Sequence, residues 1–147
     1  MLNIAVIGAG AIGRIHARNL ARHAGARLSA VYDINPEAAV TVAEEHGAIA
    51  ATSLDDALGD TMDAVIIASS TASHGDVARA CVAAGKPFLC EKPLASDHPA
   101  GAAIVESAGA VHLTAGMAFN RRFHPQYAGI KEAVAGGDIG QLESILI

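Results

Sequence analysis

Three glycines, one carboxylate and one lysine carry the chemistry legible in this chain. Gly8, Gly10 and Gly13 form G-x-G-x-x-G directly after the apolar run Ile4 to Ile7. In a dinucleotide site the first glycine makes the tight turn out of a strand. The second lets the backbone approach a pyrophosphate, and the third lets the next helix pack closely on the strand. A helix that starts inside the motif, at Ala11 and Ile12, turns its free N–H groups and its positive dipole end toward the phosphates. The motif alone is weak, because 15 glycines in 147 residues produce spurious matches. It needs a strand before it, a helix after it and an acid about 20 residues on. All three are present. The second expected strand, Arg27 to Tyr32, ends at Asp33, twenty residues after Gly13. A carboxylate there accepts hydrogen bonds from a ribose diol and repels a 2′-phosphate, and Ile34 and Asn35 supply no cation to hold one. The expected cofactor is therefore NAD in preference to NADP. The plainer alternative is that Asp33 only opens the loop before Pro36 and caps a helix.

The second centre is Glu91-Lys92-Pro93, which follows the expected strand Pro87 to Cys90. Pro93 restricts Lys92 to an extended conformation. A lysine at the carboxyl end of a central strand faces the cofactor crevice, where desolvation and nearby charge tune an ammonium for proton transfer. From position alone, a solvated lysine weakly paired with Glu91 fits equally well.

The elements that must position these groups alternate along the chain. Arg14 to His23 reads as a helix, with Ile12, Ile15 and Leu20 able to share a face. Pro36 to His46 is a second helix, capped by Asn35 and stopped by Gly47. Ala48 to Ala51 is a short strand, and Ser53 caps a small helix, Leu54 to Leu58. Met62 to Ala68 is nearly all apolar, as in a central parallel strand buried on both faces. Ser69 to Ser73 is a polar loop and His74 to Ala84 a helix. Asp97 to Ala108 is a helix with Ser96 or Asp97 as its cap, and Val111 to Ala118 is a sixth strand. The alternation predicts an α/β, Rossmann-type doubly wound parallel sheet with right-handed crossovers and helices on both faces. The loops after Ile7, Tyr32, Ala68 and Cys90 then converge on one crevice.

Residues 119–147 differ in character. Phe119 to Pro125 is polar, aromatic and basic, Gln126 to Ala135 is helical, and Leu142 to Ile147 reads as a strand. An apolar strand at the end would be an unpaired edge. The expectation is a truncated piece of a longer protein, with residues 1–118 as the NAD-binding domain and 119–147 as the beginning of a second α+β domain. Composition narrows the partners. Hydrophobic residues make up 52% of the chain but aromatics only 3%, so the core is built from Ala, Val, Ile and Leu. A net charge of −5 argues against general nucleic-acid binding. Cys81 and Cys90 match no metal spacing and no disulfide framework, which points to a reducing, cytoplasmic compartment. Both read as buried core residues. The seven histidines form no H-x-x-x-H pair, so no metal is expected. The first apolar run is too short and lacks the basic leader of a signal peptide. No stretch approaches the ~18 apolar residues of a membrane span.

Three stretches together resemble the glucose-fructose oxidoreductase/inositol dehydrogenase/rhizopine catabolism family: Gly8 to Gly13, Ala68-Ser69-Ser70-Thr71-Ala72-Ser73-His74, and Ala84-Gly85-Lys86-Pro87-Phe88-Leu89-Cys90-Glu91-Lys92-Pro93-Leu94-Ala95. Gly116 to Phe123 looks most like the inositol 2-dehydrogenase branch. The resemblance covers essentially all 147 residues. It implies oxidation of a ring hydroxyl of a polyol or sugar to a ketone, with Lys92 helping to deprotonate that hydroxyl. Glu91 is implied near the nicotinamide ribose, and Ser69, Thr71 and His74 along the cofactor cleft. Asn120 and Arg121 are implied at the polyol hydroxyls. For Ser69 and Thr71 turn and cap chemistry is the alternative. For His74 it is a structural place at a helix start, and for Asn120 and Arg121 a solvated loop or an ion pair between domains. Arg14 and His16 read as surface or packing residues. The family's remaining catalytic aspartate and histidine belong to a second domain and correspond to positions beyond Ile147. The resemblance thus also implies homo-oligomers built through that domain, and a chain that binds NAD yet turns over poorly. The rivals are a non-catalytic NAD-binding module and a family dehydrogenase for another sugar.

Overall fold

A computed structural model of the chain describes residues 1–145. Six parallel strands form one sheet: β1 (Leu2–Ile7), β2 (Ala26–Tyr32), β3 (Ile49–Ala50), β4 (Ala64–Ile67), β5 (Phe88–Cys90) and β6 (Ala115–Met117). Their order across the sheet is β3-β2-β1-β4-β5-β6. The chain winds outward from β1 in one direction, then returns and winds outward from β4 in the other. The boundary between β1 and β4 is thus the switch point at which such sheets open a crevice.

The helices are α1 (Ala11–Leu20), α2 (Pro36–His46), α3 (Leu54–Ala57), α4 (Thr71–Ala83), α5 (His98–Ala110) and α6 (Pro125–Gly136). Alternation of side chains along each strand feeds two cores. Ala5, Ile7, Val65, Ile67, Phe88 and Cys90 pack with α3, α4 and α5 through Ala57, Val77, Ala78, Cys81 and Ile104. On the opposite face Val6, Leu28 and Val31 pack with α1 and α2 through Ala17, Ala39, Val42 and Ala43. Few large side chains are used, in keeping with the small, branched composition.

Local signals hold where a side chain or glycine caps an end. Asn35 Oδ1 accepts from Glu37 N–H, and Gly47 takes the left-handed conformation that ends α2. Asp97 rather than Ser96 caps α5, accepting from Ala100 N–H at 2.9 Å. Several expectations are corrected. The helix after Ser70 begins at Thr71, so the polar loop is only two residues long. The sixth strand starts at Ala115, because the chain leaves α5 through His112 at φ 54 and Leu113 N–H closes back onto Ala108 O. Helix α1 does not bury Ile12 and Ile15, which are about half exposed; it buries Gly13 and Ala17. Small residues bring its axis close to the sheet, and the isoleucines are turned outward.

Residues 142–145 form no strand. Backbone in a strand needs a neighbour to bond, and the outer edge of the sheet at β6 takes up no further segment among the described residues. The rest of that expected strand, 146–147, lies outside the described residues. Asn120–Phe123 form one 3-10 turn, and α6 buries none of its residues.

Candidate functional site

The crevice at the switch point is a cavity of about 470 Å³ between the ends of β1, β2 and β4. Gly8, Gly10, Ala11, Ile12, Asp33 and Ser69 all line it, so six of the expected cofactor residues meet in one place. Ile34, Ser70 and Ser73 complete its rim.

Its floor is the glycine turn. Gly8 sits at φ +106, where a side chain is strained, and a Cβ there would lie 2.5 Å from the Ala68 and Ser69 backbone. A Cβ on Gly13 would lie 1.8 Å from the Gly8 carbonyl oxygen, so the first turn of α1 rests directly on the strand end. A Cβ on Gly10 would meet nothing within 4 Å. The space above Gly10 belongs to the crevice, and a group that needs close backbone approach can use it. No side chain caps α1. Its leading N–H groups are therefore available to an anion, with the dipole's positive end behind them.

Asp33 does more than the sequence discloses. Its Oδ2 accepts from Ala9 N–H at 2.7 Å and its Oδ1 from Asn35 N–H at 2.8 Å. Gly8 N–H also donates to Tyr32 O at 2.7 Å. The end of β2 thus fixes the shape of the glycine turn. A carboxylate offers about four acceptor positions, so roughly two remain for a diol.

Ser69 stands at the cleft wall, where its Oγ accepts from Ser73 Oγ at 2.8 Å. Thr71 is the exposed first residue of α4 and lies off the cavity. His74 does not line the cleft either: it is 2% exposed and sits beneath it. Its Nδ1 is 2.6 Å from Pro93 O and its Nε2 3.0 Å from Ser69 O, so both ring nitrogens are engaged by carbonyls. The expectation that His74 faces the cofactor is corrected here. A helix starting at Thr71 carries position 74 onto its inward face.

Glu91 and Lys92 leave β5 at the same end of the sheet but outside the cavity lining. Glu91 Oε1 is 3.0 Å from His16 Nε2, with both side chains about four-fifths buried. Lys92 is exposed, and its peptide to Pro93 is cis. The ion pairs among the described residues, Arg14–Glu45, His16–Glu91 and Arg79–Asp76, do not include it. Asn120 and Arg121 lie with Phe123, His124 and Tyr127 around a separate depression, where the Arg121 guanidinium stacks 5.3 Å from the Tyr127 ring centre.

Sequence reading missed His16 and Ile34. His16 meets a residue 75 positions away, and no local pattern announces such a contact. Ile34 carried a signal: a large apolar side chain directly after the expected ribose acid, here 91% exposed at the cavity rim.

A family model described as an oxidoreductase family with an NAD-binding Rossmann fold matches residues 2–119. Inositol 2-dehydrogenase of Rubrobacter xylanophilus is 39% identical over 140 residues, 93% of this chain and 40% of that protein. Among solved structures, scyllo-inositol dehydrogenase from Lactobacillus casei with bound NAD(H) and scyllo-inositol aligns at TM-score 0.89 and 29% identity, covering 96% of this chain and 43% of that one. UDP-N-acetylglucosamine 3-dehydrogenase from Acidithiobacillus ferrooxidans aligns at TM-score 0.83 and 35% identity, covering 90% and 43%. The chain spans about two fifths of the length of the curated relatives it matches.

Proposed function

Since the chain belongs to the Gfo/Idh/MocA oxidoreductase family, whose matched region is an NAD-binding Rossmann domain, we propose that it is the cofactor half of a dehydrogenase that oxidises a ring hydroxyl of a polyol or sugar. The observation that carries this reading is the crevice itself. An uncapped helix start, an open backbone surface at Gly10 and a carboxylate with acceptor positions to spare face one volume. Those residues fit an adenine dinucleotide. Gly10 and the first turn of α1 would hold the pyrophosphate, and Asp33 the adenosine ribose diol. The exposed faces of Ile12 and Ile34 suit a flat aromatic base. Because Asp33 repels a 2′-phosphate and no lysine or arginine lines the cavity, the reading favours NAD over NADP.

When bound, NAD would supply a hydride acceptor for the substrate carbon. This chain's part in that step is proton transfer: Lys92 takes the hydroxyl proton as the carbon becomes a ketone. In this reading Glu91 would sit near the nicotinamide ribose, and Asn120 and Arg121 would donate to polyol hydroxyls. Residues 1–118 are assigned to the cofactor domain and 119–147 to the start of a substrate and oligomerisation domain. The substrate class follows relatives named for inositols, and a nucleotide-sugar relative keeps other sugars within range. No helix among the described residues is long and apolar enough to cross a membrane. Two buried, unpaired cysteines favour a reducing compartment such as the cytoplasm.

Titration with NADH and NADPH, followed by assay of inositol isomers and aldoses with NAD, tests the reading. Saturable NADH binding that exceeds NADPH binding is expected. Failure to bind either nucleotide would overturn it, and binding without any turnover would favour the non-catalytic module.

A further inference from the structure

The Glu91-Lys92-Pro93 turn is held on both sides by imidazoles that the proposed reaction does not use. From α1, on one face of the sheet, His16 Nε2 reaches Glu91 Oε1 at 3.0 Å. From α4, on the other face, His74 Nδ1 reaches Pro93 O at 2.6 Å. The second nitrogen of His74 reaches Ser69 O at 3.0 Å, and Ser69 lines the dinucleotide crevice. Glu91 is anchored further by its N–H, which donates to Ile67 O at 2.9 Å, and by its carbonyl, which accepts from the Cys90 thiol at 3.1 Å. The residue between these fixed points, Lys92, is exposed and belongs to none of the ion pairs among the described residues.

We infer that His16 and His74 are positioning residues for Lys92, gripping the residues on either side of it and tying the turn to the wall of the crevice. The inference rests on the reading of Lys92 as the proton acceptor. Its physical basis is the chemistry of the partners. Pro93 O and Ser69 O can only accept; a neutral imidazole donates to one of them and an imidazolium to both. At 2% exposure no bulk water replaces a lost donor, so a side chain without N–H groups frees the turn from the α4 side. A displacement of about 1 Å at a proton-transfer group is enough to cost roughly a hundredfold in rate.

The chain has three lysines, Lys86, Lys92 and Lys131, so a sample labelled with carbon-13 at the lysine ε-carbon gives three signals. Lys92→Arg identifies one of them. Lys86, whose Nζ donates to Met62 O at 2.9 Å, serves as an internal report on the fold. The spectrum is recorded without and with NADH for the unaltered chain, His16→Ala, His74→Phe and His74→Gln. In His16→Ala and His74→Phe the Lys92 signal should move from its position in the unaltered chain and lose its response to NADH, with Lys86 unmoved. His74→Gln keeps an N–H donor and should recover part of both, which filling space alone would not achieve. Should His74→Phe not fold, His16→Ala decides the matter, since His16 lies at the half-buried edge of α1. A folded variant whose Lys92 signal and NADH response match the unaltered chain would overturn the inference. An unaltered chain that binds no NADH would overturn the functional reading alone, because the Lys92 signal in the free state still judges the cradle.

Discussion

Asp33→Ala separates the task this carboxylate performs in the free chain from the one proposed for it on binding. In the free chain it ties down the glycine turn, with Oδ2 on Ala9 N–H and Oδ1 on Asn35 N–H. Asn35 is exposed, so its amide finds water once the carboxylate is gone. Ala9 is 3% exposed and does not. A buried N–H left without a partner costs about 1–3 kcal/mol. At ~2–4 °C per kcal/mol for a chain of this size, the melting temperature should fall by roughly 2–12 °C. The urea midpoint should fall with an unchanged slope. Asp33→Asn keeps an acceptor for Ala9 and sets its NH₂ against the exposed Asn35 amide, so its loss should be the smaller of the two. The second task appears on binding. A hydrogen bond to a charged acceptor contributes about 1.5–3 kcal/mol, so losing even one ribose contact should weaken NADH by roughly tenfold or more. NADPH, no longer repelled, should bind at least as well as before. Denaturation and fluorescence titration of the same samples read the two effects independently. An unchanged urea midpoint in Asp33→Ala would refute the structural role, and an unchanged NADH-to-NADPH affinity ratio the recognition role.

The neighbouring glycines divide in the same way. Gly10→Ala should leave stability within about 1 kcal/mol, since its Cβ meets nothing, yet weaken NADH by filling the space the pyrophosphate needs; calorimetric titration checks this. Gly13→Ala sets a Cβ 1.8 Å from Gly8 O and should destabilise by about 3 kcal/mol or more in urea. In a full-length version that carries the second domain, Lys92→Ala should lower polyol oxidation by roughly 10²–10⁴ in kcat with little change in NADH affinity, and a fully active variant would remove the proposed mechanism. Burial pushes both thiols up from 9.0 to about 12, with Cys90 adding to the effect at Cys81 and Glu91 adding to it at Cys90. The fold favours the protonated form, so this stabilisation is complete below pH 9.0 and disappears as the pH rises toward about 12. At pH ~8 a thiol reagent should label both cysteines in urea and neither in the native chain; rapid native labelling would contradict their burial.

Most of the crevice was legible because its determinants are local. A strand, a glycine turn, a helix start and an acid at a set distance are read along the chain, and the strand order makes their ends meet. Caps such as Asn35 were legible for the same reason. What failed had no local signal. His74 was expected to open a helix along the cleft, but α4 begins three residues earlier, at Thr71, and turns it inward. The outward turn of Ile12 and Ile15 follows from how closely Gly13 brings α1 to the sheet, a matter of packing distance that periodicity does not register.

The residue order alone therefore determined the kind of fold, the glycine turn, the acid at the end of the second strand and the lysine after the fifth, since each depends on neighbours within one supersecondary unit. Only the tertiary structure decided that Asp33, expected at a ribose diol or as a loop opener, also grips the glycine turn. The same holds for the imidazoles from opposite helix layers that brace Glu91 and Pro93. Those contacts join residues 19 to 75 positions apart, and such pairings exist only once the sheet has brought the strand ends together.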